Sequence, residues 1–426
     1  MEKPTTKKLR WMRLDNAAKI YPAARRNNWT NVFRLSMTLT EEVDVKVLKS
    51  ALDVTVKRFP SIAARLRRGL FWYYLQQLPE APELSAEGAH PITYMHRQEL
   101  RSCAFRVIAY KNRIAVEFFH SLTDGNGGMV FLKSLVAEYL EQKYHISIPN
   151  EEGILDRREE PKAEELEDSF QIHAGPVCAS RKATDAFELT GTPEPGGRLN
   201  LICMKLPVEQ VLQKAHEYGV SVTAFLCAAM MQAILRLQNE TAPRDKKMVK
   251  VLIPVNLRKL FPSKTLRNFV MYTTPEADPR LGPYSFGELC KLVHHHMGLD
   301  VTPKRMGSVI ATNVSNERSL VIRLIPLFLK NIVMKIVFDL TGERKSCLSM
   351  SNLGQVKLPR EMEQYVDRVD FILGVQAMTP YNCGVVSYGN SLYMNFIRGV
   401  RETGLEYRFF KVLQEQGISV QAQSNQ

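Results

Sequence analysis

Apolar positions along this chain switch repeatedly between two spacings. Val43, Val45, Leu48, Leu52 and Val56 recur at helical intervals and predict a helix over residues 43–59, ended by Pro60. Residues 69–76, Gly-Leu-Phe-Trp-Tyr-Tyr-Leu-Gln, are aromatic and strand-like. Residues 103–110 and 113–119 read as the two strands of a hairpin, with Lys111 and Asn112 as its tight turn. In the second of these strands Ile114, Val116 and Phe118 share a face. His120 continues that parity, which points its side chain the way the core residues point. Leu132, Leu135, Val136, Tyr139 and Leu140 then fall at i, i+3, i+4, i+7 and i+8 and predict a helix over 127–141.

The second half alternates in the same way, with no internal repeat. Residues 199–206 predict a strand. Pro207 opens a helix that Gly219 closes. Ser221 or Thr223 caps a helix over 222–237 that is nonpolar all round, which predicts burial. A strand over 248–255 ends in Asn256-Leu257-Arg258, and later strands are expected at 347–350, 371–378, 383–388 and 391–397. Between the halves, residues 150–199 are acidic and then rich in glycine and proline, as expected of a partly flexible crossover. At 426 residues the chain exceeds one ordinary core. The expected layout is a first lobe at 1–150, a crossover at 151–198 and a second lobe at 199–426. Both lobes would be α/β, each a mixed sheet with flanking helices.

Composition and charge narrow the picture. Hydrophobic residues make up 45% and charged residues 24%, the balance of an ordinary globular protein. Residues 1–16 are basic and polar without an apolar run, so no secretory signal is expected. The seven cysteines are scattered and contain no Cys-x-x-Cys, which suits free thiols in a reducing cytoplasm. Residues 151–169 carry nine acids and three bases. Against a net +13 overall, that leaves +19 on the rest of the chain. Such a surface suits nucleic acid, an anionic membrane or a phosphate-rich small molecule. No nucleic-acid motif accompanies it, so nucleic acid is not an expected partner.

Two apolar stretches bear on membranes. Residues 222–237 are shorter than the ~20 needed to span and contain Gln232 and Arg236. Residues 320–340, from Leu320 to Leu340, are long enough but interrupted by Arg323, Pro326, Lys330, Lys335 and Asp339. They are expected to form a helix packed between the lobes, with a position on a membrane surface as the alternative.

The chemistry concentrates at Phe118-Phe119-His120-Ser121-Leu122-Thr123-Asp124-Gly125. Histidine is the side chain best matched to general-base work near neutral pH, and a strand end leading into a tight turn fixes its position. From the residues alone, Asp124 or Asn126 could equally be capping the helix that follows. The pattern resembles the His-x-x-x-Asp-Gly motif of the CoA-dependent acyltransferase superfamily. That group includes chloramphenicol acetyltransferases, plant acyltransferases, alcohol acetyltransferases and condensation domains of peptide synthetases. The resemblance extends to the helix segment beginning Val222-Thr-Ala-Phe, to Pro254-Val-Asn-Leu-Arg258 with Phe261-Pro262 and Asn268, and to Ser351-Asn-Leu-Gly354 with Leu358-Pro359. Together these cover roughly residues 10–415. The resemblance is nearest to bacterial alcohol acetyltransferase-like members.

The resemblance implies a two-lobed chloramphenicol-acetyltransferase-like fold with a tunnel between the lobes and His120 midway along it. It also implies direct transfer of an acyl group from acyl-CoA to a small alcohol or amine, with His120 as base and no acyl-enzyme. His120 and Asp124 are the catalytic candidates. Asp124, however, is expected to act structurally, through an ion pair with Arg258 that holds the turn. Ser351, Asn352 and the Gly125 backbone N–H are candidate oxyanion donors. Gly125 and Gly128 would either keep the tunnel clear or serve a simple turn. Phe119 stands where condensation domains carry a second histidine, which weighs against a carrier-protein substrate. The plant-type Asp-Phe-Gly-Trp-Gly segment is absent, and Asp370-Phe-Ile-Leu-Gly374 echoes it only in part.

Carrier-dependent condensation, a non-catalytic binding module and a membrane-surface acyltransferase stand as alternatives. His294-His295-His296 is the rival site. Consecutive histidines cannot all face one metal from a helix, so no metal is expected there.

Overall fold

Strands Val32–Leu39 and Arg113–Phe119 run antiparallel at the centre of a five-stranded sheet. The computed structural model describes residues 9–23, 30–88, 90–178, 184–341, 345–376 and 379–425. Phe33, Leu35 and Met37 of one central strand and Ile114, Val116 and Phe118 of the other are buried on one face. Helices Val45–Arg58 and Gly125–Tyr144 pack together over it. The first helix starts at Asp44, whose carboxylate accepts the backbone N–H groups of Lys46 and Val47. The second ends at His145, which takes a left-handed φ of 55°. The expected hairpin is present as Phe105–Tyr110 and Arg113–Phe119, with Lys111 at a φ of 51° in its turn. The aromatic strand is shorter than expected, Tyr73–Gln77. Residues 69–72 turn back from Ala64–Arg68, and the Gly69 N–H donates to the Trp72 carbonyl.

The second lobe is an eight-stranded sheet whose long strands are Asn200–Pro207, Val249–Asn256, Leu348–Val356, Tyr381–Tyr388 and Ser391–Arg398. The apolar helix Val222–Thr241 is buried against it, with Phe225, Met230, Met231 and Ile234 wholly enclosed. Ser221 caps this helix by accepting the Ala224 N–H. The cysteines described here are all free thiols.

Three expectations need correction. The strand expected at 371–378 runs instead over Val366–Ile372, and residues 377–378 lie outside the described residues. It pairs not with the second sheet but with Val32–Leu39, because Val369 and Phe371 belong to the first lobe's core. A boundary at 198 therefore does not separate the lobes cleanly. The crossover, expected to be partly flexible, is fastened along residues 152–165. Arg58 forks onto Glu165 through two bonds of 2.5 and 2.7 Å, both side chains buried. The Lys133 ammonium donates to the carbonyls of Glu152 and Lys357.

The third correction concerns 320–340. It forms two helices, Leu320–Leu324 and Leu327–Thr341, and much of its apolar surface faces solvent rather than a lobe interface. Among the described residues no single helix is long and apolar enough to cross a membrane.

Gly384 lies where the second sheet presses on the strand Val366–Ile372 of the first. It is buried, and a Cβ there would lie 2.2 Å from the carbonyl oxygen of Phe371. Gly384→Ala is expected to lower unfolding stability by roughly 1–3 kcal/mol, the usual cost of overpacking, measured by denaturant titration.

Candidate active site

His120 sits where the strand Arg113–Phe119 ends. Its backbone N–H donates to the Asn31 carbonyl. Its ring is held on two sides: Tyr21 stacks on it with centroids 4.5 Å apart and planes 15° apart, and Phe33 meets it edge-on at 5.0 Å. Asn268, from the second lobe, fixes the ring's tautomer. Its amide nitrogen donates to the His120 carbonyl at 3.0 Å and to Asp15 Oδ2 at 3.3 Å. Asn268 Oδ1 therefore faces His120 Nδ1, at 3.1 Å, and can only accept. Neutral His120 thus carries its hydrogen on Nδ1 and its lone pair on Nε2. Burial holds the imidazole pKa below the usual histidine value, opposed by its own backbone carbonyl, Asp124, Asn268 and Asp15.

Asp124 does not touch the ring. Oδ1 accepts the N–H groups of Asn126 and Gly127, capping the helix Gly125–Tyr144. Oδ2 accepts Arg258 Nη1 at 2.8 Å and the Phe269 N–H at 2.8 Å. Capping, which the residues alone allow, and the ion pair, which the resemblance implies, are both present in one carboxylate. Arg258 lies just past the strand Val249–Asn256 and also donates to the carbonyls of Thr265 and Arg267 and to Asn256 Oδ1. Asp124 and Arg258 make a structural link. Between them they carry the second-lobe segment 265–269 to the His120 turn.

The glycines pack rather than line a channel. A Cβ on Gly125 would come 2.8 Å from Leu353 Cδ2, and one on Gly127 would come 2.2 Å from the Leu266 carbonyl. Gly128 fits against Leu35, Phe118 and Phe33 of the first sheet, so it does not keep the tunnel open. Each lets the start of the helix close onto a neighbour.

Ser351 and Asn352 face opposite ways. Both lie inside the strand Leu348–Val356, not in a turn ending one. Ser351 is in register with Gly384, which presses on Phe371, so it faces the first lobe. Asn352 is turned to the other side, where its amide donates to Thr223 Oγ1 and its oxygen accepts the Gly354 N–H. That geometry removes Asn352 from the candidate oxyanion donors and leaves Ser351 and the Gly125 N–H. His294 and His295 are exposed on the helix Phe286–Asp300, and among the described residues no three metal-ligating side chains gather.

Three residues of the site had little or no signal in the sequence. Asn268 belongs to a recognisable segment, but nothing local says that it reaches a histidine 148 positions away. Asp15 and Tyr21 come from an N-terminal stretch without periodicity. Asp15 is fully buried, and desolvation raises its pKa against the lowering influence of Arg267.

No family model matches this chain, and no curated protein matches its sequence. Solved structures do match, over nearly its whole length. F. graminearum TRI101, complexed with coenzyme A and T-2 mycotoxin, aligns with a TM-score of 0.63 at 10% identity, over 96% of this chain and 99% of that one. TRI3 trichothecene 15-O-acetyltransferase from Fusarium sporotrichioides gives 0.61 at 10% identity, over 97% and 98%. The first condensation domain of the CDA synthetase gives 0.58 at 14% identity, over 97% of each. The chain therefore has the two-lobed α/β fold that CoA-dependent acyltransferases share with condensation domains, the fold expected from its motifs.

Arg258→Met is expected to leave the buried Asp124 carboxylate without its cation and to lower stability by roughly 3 kcal/mol in denaturant titrations. Asp124→Asn in the same chain should recover part of that loss.

Proposed function

We propose that this chain is an acyltransferase that moves an acyl group from acyl-CoA to a small alcohol or amine. The observation that carries this reading is the locked tautomer of His120, with Nδ1–H committed to Asn268 and the Nε2 lone pair left for a substrate proton. In the proposed reaction the acceptor's O–H or N–H gives its proton to Nε2 as its heteroatom attacks the thioester carbonyl. The carbon–sulfur bond then breaks, and the imidazolium returns the proton to the departing thiolate. Ser351, on the interlobe face, is the side chain we assign to the developing oxyanion. An acetyltransferase among the structural neighbours, and another neighbour solved with coenzyme A, support the choice of donor.

The test is acyl-CoA-dependent release of free thiol across donors from acetyl to palmitoyl, with a panel of alcohols and amines. Release is expected to require an acceptor and to fall by roughly 10²–10⁴-fold in His120→Ala. Absence of release with every donor would overturn the reading and favour a carrier-bound donor or a binding role.

The pH dependence has a definite sign. The active base is neutral His120, and its pKa is depressed. The base form therefore persists below the ordinary histidine value of ~6.5, and kcat/KM should stay level through neutral pH and fall only on the acid side of that value. An acid limb centred above it would count against His120 as the base in this environment.

A further inference from the structure

Helix Leu327–Thr341 is amphipathic in the wrong sense for a surface helix. Its inner side carries Leu327, Lys330 and Asn331. Its outer side presents Phe328, Leu329, Ile332, Val333 and Ile336, each 43–55% exposed. Lys330 is 3% exposed. Its ammonium donates to the carbonyls of Phe71 and Arg323 and lies 3.7 Å from the centroid of the Trp72 ring. Asn331 donates to the Tyr73 hydroxyl. A helix that buries its lysine and exposes two isoleucines, a valine, a leucine and a phenylalanine is built to meet an apolar phase.

The patch is wider than one helix. Leu320 and Leu324 of the preceding helix are each 71% exposed. The turn at 69–72 lies alongside, joined by the Leu327 N–H donating to the Leu70 carbonyl, and it adds Leu70 at 73% and Phe71 at 38%. The charges along these segments are mainly basic, with Glu317 before them and Asp339 toward the end of the second helix as the flanking acids. Residues 318–336 contain Arg318, Arg323, Lys330 and Lys335 and no acid, and residues 65–72 contain three arginines and no acid. Of these, Arg318, Arg323, Lys335 and Arg68 are exposed.

We propose that this surface docks the protein on an anionic lipid bilayer. The exposed Leu, Ile, Val and Phe side chains would enter the boundary between headgroups and acyl chains. The basic rim would sit among the phosphates. The site it would serve is close by, because helix Leu327–Thr341 packs against the short helix Ile20–Ala23, and Tyr21 of that helix is the ring stacked on His120. Docking itself does not depend on acyl transfer.

The experiment is co-sedimentation of the full-length protein with vesicles of phosphatidylcholine alone and of phosphatidylcholine containing phosphatidylglycerol, at low and high salt. Binding should be strong only with phosphatidylglycerol and should weaken with salt. Arg323→Gln and Lys335→Gln should each weaken it by roughly fivefold, the equivalent of ~1 kcal/mol per basic residue. Ile332→Ser with Phe328→Ser should abolish it while circular dichroism and the melting temperature stay unchanged, since both side chains are already solvent-exposed. Failure to bind anionic vesicles overturns the proposal, as does binding indifferent to these substitutions. So does a stable dimer in sedimentation velocity that the serine substitutions dissolve, which would show that a second copy covers the face.

Discussion

The Asp124 carboxylate is the point on which the two lobes are hung together. It accepts four hydrogen bonds: two from the first turn of its own helix, one from Arg258 and one from the backbone of Phe269. The first pair fixes where the helix begins, and so where the turn after His120 must go. The second pair holds a strand end and a loop from the other half of the chain. A buried carboxylate is costly to desolvate, and it is stable here because every approach to it is filled by a donor. Glycines at 125 and 127 allow the backbone to close to the distances those bonds require.

The same loop couples this anchor to His120. Phe269 gives its N–H to Asp124, and the residue before it, Asn268, donates its amide N–H to the His120 carbonyl and accepts the ring Nδ1–H at its oxygen. The orientation of the imidazole is thus referred to the second lobe, while its position is set by the first. Tyr21 and Phe33 restrict the ring's rotation. A site assembled this way needs both lobes in register before the imidazole is correctly oriented.

Local signals in the sequence carried much of the fold. Turn chemistry at Lys111 and Asn112, the helix start after Asp124, the Ser221 cap and most of the period-two apolar runs appear where their residues place them. The His120 turn and the Arg258 strand end were visible for the same reason. Contacts made over long separations were not legible. Nothing in Val366–Ile372 says which of two sheets it joins, since a buried edge strand has the same apolar pattern in either. The roles of Asp15, Tyr21 and Asn268 depend on packing between distant segments. Ser351 and Asn352 could not be told apart from the sequence, because a polar pair on a strand does not reveal which member faces the partner lobe. Residues 320–340 show the opposite case: their apolar spacing suits burial between the lobes, and the structure turns much of that face outward.

The strand Val366–Ile372 ties the completion of the first sheet to the far end of the chain. A ribosome exposes Val32–Leu39 early, but its neighbour is made roughly 330 residues later, a delay on the order of 15–60 s at ordinary elongation rates. Throughout that interval the strand is an unpaired edge bearing apolar side chains, able to recruit another nascent chain. Premature termination anywhere before residue 366 would leave the same edge permanently open. The first half of this protein is thus not a folding unit on its own, and its solubility during synthesis falls to whatever shields that edge in the cell.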